Sequence, residues 1–195
     1  GRIRSYRVEF VPTGSNSFLQ PRLRSDPRDV FRERLASNLG ERVLVAVDFS
    51  DHSADAVDVA VAFAQAAGLE EIHLLHVYDV PTSYLKLGMS YEEFEGLRRR
   101  FAEERFDPFV NQLDLRGLTL VPHFTTARNV PEAIHEHARD LDADLIVLGS
   151  RGRTASSAVL LGSVAERMVR TAEVPTVSVK RKGSTLRLLD ALLEL

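Results

Sequence analysis

Small residues at fixed spacing mark the segment that most directly suggests chemistry, residues 149–163, which read GSRGRTASSAVLLGS. Two residues separate its first two glycines, and nine separate the second glycine from a Gly-Ser pair; these positions are Gly149, Gly152, Gly162 and Ser163. An apolar run (143–148) precedes the segment, and a helical pattern (158–170) overlaps its end. Glycines let the backbone approach an anion closely, and amides at a helix N-terminus attract negative charge. The segment therefore predicts a phosphate-binding loop and a nucleotide ligand.

The side chains of this loop indicate how it would act. The Ser163 hydroxyl can donate a hydrogen bond to a phosphate oxygen, and Arg151 can neutralise a triphosphate, alone or beside Mg²⁺. The loop is not a P-loop, because no Gly-Lys-Ser/Thr follows the glycines. The spacing reveals neither a nucleophile–base pair nor paired carboxylates for metal catalysis. We therefore expect binding without catalytic residues; the alternative is an ordinary loop ahead of a helix.

Two other predicted strand ends carry candidate binding groups. The first strand ends at Val47-Asp48, where a carboxylate can accept hydrogen bonds from ribose hydroxyls or supply an acceptor for an adenine amino group. Asp48 could equally cap the following helix or lie in a solvated turn. The second strand ends near Val77, whose backbone could bind an adenine edge, although valine alone predicts only core packing. In a parallel sheet these ends would converge with Gly149.

The elements that would position these residues alternate between strands and helices. The predicted strands are 42–47, 71–77, 118–124, 143–149 and 174–180. The predicted helices are 53–67, 90–115, one that starts at Asn129, and 158–171. Pro108 predicts a kink or break in the second helix, and Asn129 has capping-box spacing to Glu132. Strands joined by helices require right-handed crossovers and a parallel sheet covered on both faces. The pattern predicts an α/β fold, a doubly wound, Rossmann-like five-stranded parallel sheet of order 3-2-1-4-5.

The two ends of the chain differ from this central unit, which spans 41–182. Residues 1–40 form an arginine-rich extension with eight arginines against four acidic residues, a net charge of +4, whereas the rest carries −7. Within the extension we predict a short strand over 5–12 and a helix over 28–39. The leucine-rich segment 183–195 is predicted to be a helical tail. Either end could bind a protein partner or pack on its own domain.

Composition excludes several classes of protein. Hydrophobic residues make up 44% of the chain and charged residues 27%, which is typical of a globular domain. No apolar stretch approaches the roughly 20 residues of a membrane span, and no apolar signal-peptide core is present, so a cytoplasmic location is expected. The absence of cysteine excludes disulfides and thiolate chemistry. The side chains of His73 and His76 on a predicted strand point in different directions, and so do those of His135 and His137 on a predicted helix. No metal site is therefore predicted.

Three features in this order resemble the universal stress protein family, of its ATP-binding type. They are the strand end VAVDFSD, the strand LLHV and the GxxG-x9-GS element, and the likeness covers residues 41–181. The resemblance implies ATP as ligand, held by Asp48 and the adjacent backbone, by the Val77 main chain at adenine, and by the loop at ribose and phosphates. The residues implied are Ala46, Val47, Asp48, Val77, Gly149, Gly152, Gly162, Ser163 and the Val164 amide. This chain has Ala165 where the family often has a small hydroxyl residue, so one phosphate contact would be missing.

These expectations extend to association and function. The strand 174–180 has Pro175 near its start and is rich in valine, as suits a sheet edge, and an exposed edge can pair with a second copy. The resemblance also implies dimers through this strand, so we expect a two-fold homodimer. We expect ATP to act as a regulatory or sensing ligand in a stress response. The alternatives are a slow ATP hydrolase on the same scaffold and a nucleotide-free protein-interaction module.

Overall fold

The computed structural model describes residues 6–11, 41–152 and 161–181, which form one sheet flanked by helices. The strands are β1 (Tyr6–Val11), β2 (Val43–Ala46), β3 (Glu71–Tyr78), β4 (Thr119–Thr126), β5 (Leu145–Gly149) and β6 (Thr176–Arg181). The helices are α1 (Asp51–Ala67), α2 (Tyr91–Val110), α3 (Val130–Asp140) and α4 (Ser163–Thr171), with a 3-10 helix at Thr82–Leu87. The predicted helix 28–39 and the tail 183–195 lie outside the described residues.

The predicted five-stranded parallel sheet is confirmed. Its strands lie in the order β4-β3-β2-β5-β6, and every neighbouring pair among them is parallel. This is the doubly wound order 3-2-1-4-5 when the five strands are counted along the chain. The winding reverses between β2 and β5, so a crevice is expected at the carboxyl ends of these two strands.

A sixth strand changes one edge of this sheet. β1 pairs antiparallel with β6, from Tyr6 opposite Arg181 to Val11 opposite Thr176. The short strand predicted near the start of the chain is therefore present. The prediction that 174–180 forms a sheet edge is wrong, because β6 has β5 on one side and β1 on the other. A homodimer that pairs through β6 would require β1 to leave this position.

Each face of the sheet is covered by two helices and has its own apolar core. The face under α1 and α2 buries Val45 and Leu74 completely, and the face under α3 and α4 does the same to Leu75 and Ile146. Successive strand residues point to opposite faces, so a strand covered on both sides is apolar throughout. Among the residues that the structure describes, no helix combines the length and apolar character that a membrane crossing requires.

Local capping explains where α1 and α2 begin. The Ser50 side chain accepts a hydrogen bond from the Ser53 amide at the start of α1, which ends at Gly68 in the left-handed conformation, φ 73°. Ser90 and Glu93 form a complete capping box at the start of α2.

Two predicted helix boundaries and one predicted cap differ in the structure. α2 continues through Pro108 and ends at Val110, so it is not broken at the proline and is shorter than predicted. Asn129 is the N-cap of α3, but its side chain donates to the Glu132 carboxylate at 2.6 Å and makes no capping bond to the backbone. α4 begins only at Ser163, because the preceding Gly162 is extended at φ −73°, ψ 156°. Ser163 is consequently the first residue of this helix.

Candidate functional site

A cavity of about 360 Å³ lies at the carboxyl ends of β2, β3 and β5. All ten site residues predicted from the sequence lie in its wall: Ala46, Val47, Asp48, Val77, Gly149, Arg151, Gly152, Gly162, Ser163 and Val164. The other seven wall residues were not among them: Ala165 was named only for its missing hydroxyl, and the sequence did not identify Ser53, Leu75, Val130, Ile134, Leu148 and Ser150. Segments far apart in sequence meet here because parallel strands bring their carboxyl ends to one edge of the sheet.

The Asp48 carboxylate is oriented by two serines of the turn between β2 and α1. Its Oδ1 accepts hydrogen bonds from the Ser50 amide at 3.1 Å and from the Ser53 hydroxyl at 2.5 Å. The Ser53 hydroxyl in turn accepts from the Asp48 amide at 2.9 Å. Hydrogen bonds to a charged acceptor are short and strong, so they hold the carboxylate in one orientation. Ser50 caps α1, and Asp48 organises the turn before it.

Phe49 holds this turn in an unusual conformation. Its φ is 63°, in the left-handed region that bulky side chains rarely occupy and that costs roughly 1–3 kcal/mol. The Phe49 ring stacks on the His76 imidazole with 4.1 Å between centroids and contacts the Phe109 ring at 5.5 Å. His76 is fixed as well, because its Nδ1 donates to the Val47 carbonyl oxygen at 2.8 Å. Packing from β3 and α2 therefore stabilises the strained residue next to Asp48.

Two glycines allow the loop after β5 to approach the turn after β2. A Cβ atom at Gly149 would lie 2.8 Å from the His52 carbonyl oxygen, and one at Gly152 would lie 2.9 Å from Asp48 Oδ2. Both distances are shorter than real Cβ contacts. Gly149 therefore lets β5 pack directly on the start of α1, and Gly152 brings the loop backbone against the Asp48 carboxylate.

The loop then leads into the N-terminus of α4. The Gly162 amide donates to the Ser150 carbonyl oxygen at 2.7 Å, and the Ser150 amide donates to the Val179 carbonyl oxygen at the same distance. Gly162 is the N-cap and has no side chain with which to cap the helix, while residues 163–165 line the cavity. The partial positive charge of this helix end can therefore act on a ligand. Residues 153–160 of the loop lie outside the described residues.

Ser150 contributes a polar atom that sequence reasoning did not identify. The residue is 2% exposed and lines the cavity, and its Oγ has no hydrogen-bond partner among the described residues. A buried hydroxyl without a partner costs free energy, so a ligand oxygen near it would be favourable. The serine between Gly149 and Arg151 was visible in the sequence, but only the fold shows that it is buried.

The remaining wall is apolar. Leu75 and Val77 of β3, Leu148 of β5, and Val130 and Ile134 of α3 supply this surface. Binding sites for small molecules are mostly apolar with a few convergent polar groups, and this cavity has that composition. Ala165, which is buried in the α4 core, adds a methyl group rather than a hydroxyl to the wall.

Three histidines lie together on the same sheet face as the cavity; we call His73, His123 and His137 the histidine cluster. His73 Nδ1 lies 3.0 Å from His123 Nε2, and the His123 and His137 ring centroids are 4.6 Å apart. Burial is the main cause that lowers the pKa of all three below the usual value, and the neighbouring imidazoles lower it further for His123 and His137. Within the described ranges no three or more His, Asp or Glu side chains converge as a metal ion would need. The cluster joins β3, β4 and α3, so sequence spacing alone did not indicate it.

Comparison with known proteins identifies the family. A model of the universal stress protein family matches residues 40–180. The chain belongs to the universal stress protein family. Universal stress protein MJ0577 of Methanocaldococcus jannaschii is 30% identical over 158 residues, which cover 74% of this chain and 97% of that protein.

Other relatives agree with this assignment. A universal stress protein of Thermus aquaticus is 36% identical over 141 residues, covering 71% of this chain and 97% of that one. The solved structure of MJ0577 superimposes with a TM-score of 0.61, covering 75% of this chain and 99% of that protein. A universal stress protein of Archaeoglobus fulgidus, solved in complex with dAMP, shares the fold at 23% identity with a TM-score of 0.51, covering 73% of this chain and 99% of that one.

Proposed function

We propose that this universal stress protein binds ATP and uses the nucleotide as a regulatory or sensing ligand in a stress response. One observation carries the proposal: a carboxylate, a glycine-rich loop and a helix N-terminus meet at a single cavity with an apolar wall. Each of these features meets the chemical needs of a different part of an adenine nucleotide.

The assignment of parts follows from chemistry. The apolar surface of β3 and α3 suits a planar base, and the Asp48 carboxylate can accept hydrogen bonds from ribose hydroxyls. The loop after β5, the N-terminus of α4 and the Ser163 hydroxyl can bind phosphate oxygens. Arg151 lies in the wall and would offset phosphate charge, with Mg²⁺ as an accompanying counter-ion.

Two details of the cavity are consistent with a bound nucleotide. Because Gly152 has no Cβ, the loop backbone lies beside Asp48 Oδ2 without displacing it, so backbone and carboxylate are adjacent at this point. The buried Ser150 hydroxyl, which has no partner within the described part of the chain, would gain one from a ligand oxygen.

The wall favours holding the nucleotide over hydrolysing it. Asp48 is the only carboxylate among the described residues of the wall, and its Oδ1 already accepts two hydrogen bonds from Ser50 and Ser53. A general base must be within reach of an attacking water and able to take its proton. We therefore expect phosphate release slower than about 1 per second, below typical enzyme rates.

Calorimetric titration of the full chain with ATP, ADP and AMP tests the proposal, together with mass spectrometry of small molecules released from gently purified protein. We expect an adenine nucleotide to bind with one site per chain. If the folded protein neither binds nor retains any adenine nucleotide, the proposal is wrong and a role as an interaction module is favoured.

A further inference from the structure

The pairing of β1 with β6 concerns a surface that nucleotide binding does not use. All six residues of β6, Thr176–Arg181, have a register partner in β1. On its other side β6 pairs with β5. The outer edge of the parallel sheet is therefore covered along its whole length by a segment that lies outside the matched family region, residues 40–180.

The sequence of β1 is suited to this register. Its apolar and charged residues alternate from Tyr6 to Phe10, and the pairing sets Val8 opposite Val179 and Phe10 opposite Val177. Val177 and Val179 are buried in the core under α1. A slip by one residue in either direction would set Arg7 or Glu9 opposite Val179, which is unfavourable because directly opposed residues share a face. The pattern thus specifies one alignment.

β1 also runs in the direction, relative to β6, that the β6 strand of a second copy would take. Two identical edge strands related by a two-fold axis run antiparallel to each other, because the same surface must serve both partners. β1 runs antiparallel to β6, whereas the other strand pairs of the sheet are parallel. β1 therefore pairs with the outer backbone groups of β6 in the same antiparallel arrangement that the β6 strand of a second copy would use.

We propose that β1 competes with a second copy of this chain for the outer edge of β6. While β1 is paired the chain is a monomer, and when β1 leaves, two chains associate through antiparallel β6 strands. Pairing within one chain does not depend on protein concentration, whereas pairing between chains does, so β1 has the advantage at low concentration. The expected homodimer is thus the state of the chain after β1 is displaced.

Consecutive proline substitutions in the full chain test this competition. In an antiparallel pair, alternate residues exchange hydrogen bonds with the partner strand and the residues between them do not. β1 is an edge of the described sheet, so its residues alternate between facing β6 and facing away from it. One of the two variants, Val8→Pro and Glu9→Pro, therefore removes a backbone hydrogen bond to β6, and the other is its matched control. Circular dichroism checks that both variants fold.

The readout is molar mass from light scattering at micromolar concentration. We expect 21.8 kDa for the unsubstituted chain and for one proline variant, and twice that mass for the other variant. A dimer of the unsubstituted chain overturns the proposal, and so do two monomeric variants. Neither result bears on ATP binding, which is measured separately.

Introduced cysteines show whether β1 pairs within its own chain. The chain contains no cysteine, and residues 7 and 180 are register partners, so Arg7→Cys with Lys180→Cys reports this pairing. Arg7→Cys with Thr119→Cys is the control, because β4 lies at the opposite edge of the sheet. We expect a disulfide within one chain for the first pair and none for the second. A disulfide that joins two chains would mean that β1 is exchanged between copies and would overturn the proposal.

Discussion

A single added methyl group at Gly152 offers the sharpest test of the site. In Gly152→Ala the new Cβ would lie 2.9 Å from Asp48 Oδ2, where ordinary contacts begin at 3.4 Å. Either the carboxylate or the loop must therefore yield by about 0.5 Å. The carboxylate cannot turn away freely, because the Ser50 amide and the Ser53 hydroxyl both donate to its Oδ1.

The size of the effect follows from these hydrogen bonds. A hydrogen bond to a charged group contributes roughly 1.5–3 kcal/mol, and a displaced Asp48 would lose that much with its ligand or with its serines. We expect ATP affinity to fall ~10- to 150-fold, the range that corresponds to about 1.5–3 kcal/mol. Calorimetric titration of ATP into the variant and into the unsubstituted protein measures this change directly.

Gly96→Ala is the matched control for this experiment. Gly96 lies in α2 and outside the cavity wall, and its added Cβ would have no neighbouring atom of the described residues within 4 Å beyond its own helix. We expect this variant to keep the affinity of the unsubstituted chain. If Gly152→Ala folds and binds ATP as tightly as the unsubstituted chain, the placement of the nucleotide beside Asp48 is wrong.

Three further predictions concern the carboxylate, the core glycine and pH. Asp48→Ala should weaken adenosine binding by about 1–3 kcal/mol in calorimetry, because ribose hydroxyls lose a charged acceptor. Gly149→Ala should lower the free energy of unfolding in urea by roughly 1–3 kcal/mol, since its Cβ would meet the backbone of His52, which is part of a helix. Protein stability should fall as pH drops below about 6.5, the ordinary histidine pKa, because burial depresses the pKa values of the histidine cluster.

The sign of the pH effect follows from proton binding. An unfolded histidine takes up its proton near the ordinary pKa, whereas a cluster member in the folded protein does so only at lower pH, so acid favours the unfolded chain. His137→Gln should make the loss of stability between about pH 7 and 5 shallower. An unchanged dependence of stability on pH in His137→Gln would contradict the role given to the histidine cluster. Full stability of Gly149→Ala would contradict the role given to Gly149, and full adenosine affinity of Asp48→Ala would contradict the role given to Asp48.

Some features of the fold follow from short-range patterns. Apolar runs such as 143–148 predicted buried strands, and the glycine spacing of the following loop predicted where backbone and ligand could meet. The right-handed crossover rule then limits the strand orders that such a pattern can adopt. Helix boundaries were less accurate: α4 starts at Ser163 because Gly162 is extended, and a period of apolar residues cannot report that.

The sequence by itself predicted residues that the fold places in one cavity wall, since Asp48, Val77 and the glycines lie at or shortly after strand ends or just before a helix, and topology brings such segments together. Only the tertiary structure decided which neighbours complete the site. The approach of Gly152 to the Asp48 carboxylate, the buried Ser150 and the histidine cluster all depend on distances between segments that no periodicity encodes. The same holds for the edge of the sheet: valines in 174–180 indicate a strand, but its neighbour, β1, lies more than 160 residues away in the chain and is found only when the chain folds.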